Sequence, residues 1–231
     1  MFRRTQITQV YYQYMKTQLL PQLEHLGFDV QMLVSGDEYD FSAFEPFENK
    51  RIRFMETENN LGMKKNKMLK ESLDCNADYV LLIDSDDFVH LNTVVRLLNL
   101  AHSNMYWASI ENFGFFNTAT RTFSEFKGYS KSHCLYKNGM GSCRVFSRLL
   151  IDFLGARPFK EDVNRSMDAS IKAKLVSLEI PYEQRLLTEK EFLPIGLKSS
   201  ENIWPISAYK TEPLHTTDTK VSWFPFTNIL V

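Results

Sequence analysis

The chain is short of cysteine, of net charge and of long apolar runs, and each shortage narrows what it can be. Its 231 residues include three cysteines. Cys75, Cys134 and Cys143 are odd in number and form no C-x-x-C pair, which argues against a disulfide framework or zinc ribbon and predicts free thiols in a reducing compartment. Lys and Arg number 27 against 28 acids, a formal net charge of −1. No global field therefore holds the chain on a nucleic acid or an anionic membrane, and phosphate binding has to be local. The N-terminus is basic and polar without an apolar signal segment, and the run Tyr79–Ile83 is far too short to cross a bilayer. The expectation is a soluble, cytoplasmic protein with no integral membrane segment. None of the five histidines pairs at H-x-x-x-H spacing, and no repeat or low-complexity segment is present. What remains is ample core material: 44% apolar residues with 18 Phe at a length that fits one domain over residues 1–231.

Apolar positions Val10, Tyr14, Leu19, Leu20, Leu23 and Leu26 predict a helix over 8–26 stopped by Gly27. Phe28–Val34 reads as a strand ending in the polar turn Ser35-Gly36-Asp37-Glu38, and a second strand covers Arg51–Met55. A helix over Met63–Leu73 and an apolar strand over Tyr79–Ile83 follow; such a continuous run suits a strand covered on both faces. Alternation of helix and buried strand predicts an α/β fold with a mainly parallel sheet. A helix over Thr93–Ala101, aromatic and Thr-rich strands within 109–123, a mobile loop over 127–141, a helix from Ser166 and a strand over Tyr182–Leu187 complete the pattern. Residues 191–231, rich in Pro, Trp and Ser, read as a tail folded over the site.

The segment with the most chemistry is Asp84-Ser85-Asp86-Asp87, directly after the apolar strand. Carboxylates at that density are costly without a compensating cation or hydrogen-bond donors, and hard oxygen ligands select Mg2+ or Mn2+. Ligands in open α/β sheets sit at this end of the strands. The plainer alternative is an Asp-rich turn capping the helix that begins near Asn92, although a cap needs one carboxylate and not three. The second constellation is Asn60-Leu61-Gly62 before Lys64, Lys65, Asn66 and Lys67. A helix starting there places Lys65 on the face of Leu69 and Leu73, so that a cation and a helix N-terminus coincide, and both favour an anion such as a diphosphate. Lys67 and Lys70 read as a solvated face.

In this order of elements the chain resembles, over Arg3 to Thr93, the nucleotide-sugar-binding half of family 2 glycosyltransferases of the GT-A fold, with Asp84-Ser85-Asp86 as the D-x-D element. The resemblance implies a metal-dependent hexosyl- or pentosyltransferase with Asp86 on a Mn2+ or Mg2+ ion that bridges the donor's diphosphate. Asp84 would meet the ribose or a metal-bound water, with Ser85 beside it in the donor-binding turn. Asp87 would brace that turn or approach the sugar. Ser35, Gly36 and Asp37 stand where such enzymes hold the base, with Ser-Gly replacing the usual acidic pair, and Asn60 and Lys65 belong to the donor site. By that resemblance Met1-Phe2-Arg3-Arg4 looks like only the end of the family's apolar first strand, so either a later segment replaces that strand or the chain begins inside a longer open reading frame, and the second is the expectation. Residues 1–93 would form the donor half, 94–190 the acceptor half and 191–231 the tail.

In the acceptor half, Phe159 followed by Met167-Asp168 resembles the family's Phe and acidic pair, which makes Asp168 the expected base of an inverting transfer, with Glu161 and Asp162 in reserve. A carboxylate that complements the dipole of the helix opened by Ser166 is the alternative role for Asp168. His215, in the polar tail, is the expected third metal ligand or a surface histidine. Lys198 reads either as a cation that reaches a phosphate from a closing loop or as part of a flexible turn. Trp107, Phe113, Phe115 and Phe116 read as core. A nucleotidyltransferase, and a nucleotide-sugar-binding module without catalysis, are the rival functions. The acceptor is a hydroxyl on a polysaccharide, a protein or a modified nucleic acid; Lys127, Lys131 and Lys137, interleaved with Tyr129 and Tyr136, permit the last.

Overall fold

A computed structural model describes residues 5–36, 51–57, 60–104, 106–161, 167–180, 186–199 and 206–224. The elements run α1 (Thr5–Tyr14), a π-helical turn (Met15–Leu19), α2 (Leu20–His25), β1 (Met32–Gly36), β2 (Ile52–Glu56), α3 (Leu61–Asp74), β3 (Tyr79–Leu82) and β4 (Asp87–Phe88). They continue with α4 (Leu91–Asn104), β5 (Trp107–Ile110), β6 (Phe113–Asn117), β7 (Thr122–Phe126), β8 (Arg144–Ser147), α5 (Arg148–Phe153) and α6 (Met167–Ser177). The last are β9 (Leu186–Leu187), β10 (Ile195–Lys198), a 3-10 turn (Ile206–Ala208), β11 (Thr211–Leu214) and α7 (Thr219–Ser222). Two compact units result: Met1–Val80 with Phe146–Tyr182, and Leu81–Val145 with Glu183–Val231. The chain passes from one to the other inside β3 and again inside β8.

In the first unit the predicted long helix is present but interrupted. Pro21 lies in the first turn of α2, where it has no N–H to give and its ring would crowd the preceding turn of a regular helix. The π-helical widening just before it, in which Leu20 N–H closes on Met15 O, relieves that crowding. Gly27, at φ +88°, ends the helix: its N–H reaches Glu24 O at 2.8 Å while Phe28 N–H reaches Leu23 O at 3.1 Å, the left-handed stop that glycine accepts most easily. β1 and β2 pair in parallel from Met32↔Ile52 to Gly36↔Glu56. The first strand thus lies later than the pattern suggested, and Ser35 and Gly36 belong to the ladder instead of a turn after it.

α3 is capped by Asn60, whose Oδ1 accepts Met63 N–H at 3.1 Å. Its start packs so tightly that a Cβ built on Gly62 would stand 2.0 Å from Lys160 O. Asn66 fixes the same contact one turn on: its Nδ2 donates to Phe159 O at 2.8 Å and to Glu161 Oε1 at 3.0 Å, while its Oδ1 accepts Phe159 N–H at 3.0 Å. α5 begins at Ser147, whose hydroxyl accepts Leu150 N–H at 3.2 Å.

The second unit holds a five-stranded sheet in the order β11–β7–β6–β10–β4. β6 runs parallel to β10, whereas β7 with β6, β11 with β7 and β4 with β10 are antiparallel. Residues 191–231 therefore supply two strands, and β10 sits inside the sheet. Trp107, Phe113, Phe115 and Phe116 are buried, as core, and Phe224 of the tail meets Phe88 edge-on at 5.2 Å and Phe123 at 6.0 Å. A second sheet runs β3–β8–β5–β9, with β5 and β9 parallel. Leu82 is the fully covered residue of β3 and the three before it are half-buried, so this strand is less enclosed than its unbroken apolar run predicted. Residues 127–143 carry no helix or strand. No helix among the described residues is long and apolar enough to cross a membrane.

Candidate functional site

In the second unit Asp84-Ser85-Asp86-Asp87 forms a closed turn between β3 and β4. Asp87 N–H returns to Asp84 O at 3.0 Å, and Asp86 O accepts Leu197 N–H at 2.8 Å, which ties the turn to β10. Asp84 N–H donates to Ser142 Oγ at 3.1 Å. Asp86 and Asp87 are buried, and Asp84 and Ser85 are half-buried. Burial, then the charges of Asp86 and Asp84, push the Asp87 carboxyl well above the usual carboxylate range; Lys198 and a hydrogen bond from Ser142 pull the other way and do not win. Gly196 faces the same carboxylate across the β4–β10 bridge, where an added Cβ would lie 2.7 Å from Asp87 Oδ1. Lys198, two residues along, holds its ammonium 4.8 Å from the Phe115 ring centre and 5.4 Å from that of Tyr209.

His90 meets the start of α4. Asn92 N–H in the first turn of that helix donates to His90 Nδ1 at 3.2 Å. His90 in turn lies flat on Phe192 at 4.0 Å and edge-on to Trp223 at 5.4 Å. The Cys143 thiol, buried beside Asp87, is pushed well up by burial first and that charge second, which keeps it protonated and unreactive. All three cysteines are free thiols.

His215 is exposed just after β11, where its backbone O accepts Asp218 N–H at 3.0 Å. Among the described residues no three His, Cys, Asp or Glu side chains converge to hold a metal ion, so His215 is not brought together with Asp84 and Asp86. What the turn offers is two neighbouring carboxylates. That donor set suits Mg2+ or Mn2+, which bind through one or two carboxylates and complete their shells with water and substrate phosphates, unlike a metal held in an all-protein cage.

The first unit carries Ser35, Gly36, Asn60, Lys65 and Asp168. Ser35 Oγ lies 2.7 Å from Thr57 Oγ1, and Gly36 O accepts from Thr57 N–H at 2.9 Å and from its hydroxyl at 3.3 Å. Lys64 and Lys65 are both 6% exposed, and the Lys65 ammonium stands 5.7 Å from the Phe159 ring centre. The burial predicted for one lysine therefore covers two. Lys67 is exposed as expected, though its Nζ reaches Glu56 O at 2.8 Å. Glu161, one of the reserve bases, is taken up by Asn66. Asp168 is half-buried in the first turn of α6. Asp37, Asp162 and Ser166 lie outside the described residues.

Sequence reasoning missed Ser142 and Thr57. Ser142 follows Gly139-Met140-Gly141 ahead of an apolar stretch, a pattern of small residues that signals close approach to another segment. Thr57 is the residue just after β2, the edge where parallel strands present ligand groups. Of the loop lysines, Lys127 pairs with Glu212, and Tyr129 stacks on His133 at 4.6 Å.

No family model matches the chain, and no curated protein does either. Among solved structures it is similar to residues 1–349 of S. aureus TarS in complex with UDP-GlcNAc, with a TM-score of 0.53 and 16% identity, over 83% of this chain and 57% of that one. TarS 1–349 alone gives a TM-score of 0.51 and 16% identity, over 81% of this chain and 58% of the other. The chain thus spans under two thirds of the structures it matches. The likeness is one of fold, and it bears out the expected class, a mixed α/β sheet of GT-A type flanked by helices.

Proposed function

We propose that the chain is a glycosyltransferase that moves a sugar from a nucleoside-diphosphate sugar to a hydroxyl acceptor, with a divalent metal ion and with inversion. The observation that carries this reading is the closed acidic turn, in which Asp87 N–H returns to Asp84 O and the charges of Asp86, Asp84 and Lys198 all act on the Asp87 carboxyl. Its support is a fold similar to that of a protein crystallised with UDP-GlcNAc.

Asp86 and Asp84 would hold Mn2+ or Mg2+, which supplies positive charge to the diphosphate as it leaves. Lys198, whose charge is felt at Asp87, would add positive charge near the turn. Asp87, pinned between Ser142, Lys198 and Gly196, braces the turn. In the first unit Ser35 and Gly36 are assigned to the nucleoside, joined by Thr57, whose hydroxyl already partners Ser35. Lys65 and the start of α3 are assigned to anionic oxygens of the donor. Asp168 takes the proton of the acceptor hydroxyl as general base.

The test is turnover of UDP-GlcNAc with Mn2+, followed by identification of the released product. Free UDP supports the reading, whereas release of N-acetylglucosamine 1-phosphate, the group that leaves when the α-phosphorus is attacked, would make the chain a nucleotidyltransferase. Asp168→Asn should keep donor affinity and lose transfer and hydrolysis. Donor binding without release of either product, in both the wild type and this variant, would instead mark a binding module.

A further inference from the structure

Ser142 does something the acidic turn cannot do for itself. A hydroxyl has one proton to donate and lone pairs to accept with. Asp84 N–H occupies a lone pair of Ser142 Oγ at 3.1 Å, which leaves the proton for the Asp87 carboxylate, where the same hydroxyl makes its second hydrogen bond. One side chain therefore ties the first residue of the turn to its last, alongside the backbone closure from Asp87 N–H to Asp84 O at 3.0 Å.

That hydroxyl is held on a firm support. Ser142 is 4% exposed. Two residues earlier, Met140 N–H reaches Ile110 O of β5 at 2.8 Å. Gly139, at φ +70°, lies so near β5 that a Cβ would stand 2.5 Å from Ser109 Oγ and 2.8 Å from Ile110 O. On the other side, buried Arg144 donates from Nη2 to Asn138 O at 3.0 Å and Met140 O at 3.3 Å, with its guanidinium 5.4 Å from the Trp107 ring centre. Segment 138–144 is thus anchored to β5 while its hydroxyl reaches the turn.

We infer that Ser142 is a positioning residue for the metal-diphosphate site: it fixes the spacing of the Asp84 and Asp86 carboxylates through the two ends of their turn. This rests on the function proposed above. Without the hydroxyl, Asp84 N–H loses its acceptor and Asp87 loses a donor beside two like charges, so the turn must rearrange to satisfy both.

The experiment is calorimetric titration of UDP-GlcNAc with and without Mn2+, reading the ratio of the two affinities for the wild type, Ser142→Ala and Ser142→Thr. The expected result is a ratio about tenfold smaller in Ser142→Ala, in line with the loss of a group that orients a metal ligand, with metal-free affinity unchanged. Ser142→Thr, which keeps the hydroxyl, should recover most of the ratio. If Ser142→Ala fails to fold, Ser142→Cys takes its place, since its weak S–H donor should lower the ratio in the same direction. A full ratio in the alanine or cysteine variant overturns the inference, as does a loss shared equally with the metal-free titration. A wild type without any Mn2+ effect would instead sink the metal-dependent reading itself.

Discussion

The strand ends of the first unit and the acidic turn of the second solve opposite problems. At the ends of β1 and β2 the polar groups are uncharged and satisfy one another: Ser35 with Thr57, and Thr57 with Gly36 O. A ligand there has only to exchange one neutral hydrogen bond for another, which costs little. At the Asp84–Asp87 turn, burial and the charges of Asp86 and Asp84 push the Asp87 carboxyl up even with Lys198 and Ser142 against them. On the function proposed above, the ends of β1 and β2 take the neutral part of the donor and the acidic turn the ion-dependent part, so the two should respond differently to metal.

The strongest way to break this division is Asp86→Asn. It should weaken UDP-GlcNAc binding in Mn2+ by about a hundredfold, the upper end for disturbing a metal site, and leave the metal-free titration where it was. Equal losses in both titrations would mean that the turn is scaffold and not a cation site. Next in size are two glycines, one in each unit. Alanine in a helix normally stabilises relative to glycine by about 1 kcal/mol. Gly62→Ala should do the reverse by about 3 kcal/mol, because its Cβ would meet the Lys160 carbonyl at 2.0 Å and backbone must move. Urea unfolding checks this, and a variant at or above wild-type stability contradicts the close approach. Gly196→Ala meets only a side-chain oxygen at 2.7 Å, so about 1–2 kcal/mol is expected, together with a reduced Mn2+ effect on donor affinity that Gly62→Ala should lack.

The parts legible in the sequence were those written in local chemistry. Gly27 marked a helix stop, and the unbroken run before Asp84 a strand with acids at its end. The parts that were not legible depend on distant partners. β10 reads as a few residues of tail because Gly196 weakens the strand pattern, yet glycine is there to admit the Asp87 carboxylate from β4. β8 hides for the same kind of reason: Arg144 looks like a surface cation, and is instead buried against Trp107. Ser142 and Thr57 are ordinary polar residues until the fold supplies Asp84 and Ser35 as their partners. The lysines of α3 fall between, since helical spacing placed Lys65 inward but gave no sign of Lys64.

A smaller effect sharpens the neutral side of the comparison. Thr57→Val keeps the shape of the side chain and removes its hydroxyl from both Ser35 and Gly36 O. A cost of about 1 kcal/mol in stability is expected, with UDP-GlcNAc affinity reduced about threefold alike in the presence and absence of Mn2+. A loss confined to the Mn2+ titration would erase the distinction between the units.

The smallest expected effect concerns His90, three residues beyond the turn. Burial lowers its pKa below the ordinary 6.5, and the attraction of Glu189 offsets only part of that. The geometry agrees: Nδ1 accepts Asn92 N–H at 3.2 Å, which a protonated ring cannot do, and the ring is enclosed by Phe192 and Trp223. In the unfolded chain the same histidine takes up its proton near its ordinary value. Between that value and the lower folded one, the unfolded state therefore binds more protons, and stability rises with pH. The contribution is complete above about pH 7 and is lost as pH falls through 6.5 toward the folded pKa. His90→Asn keeps an acceptor for the helix start but does not titrate, so its melting temperature should fall less steeply than that of the wild type between pH 7.5 and 5.5. Parallel slopes would mean that His90 titrates in the folded protein as it does in the unfolded chain, and would contradict its burial as a neutral ring.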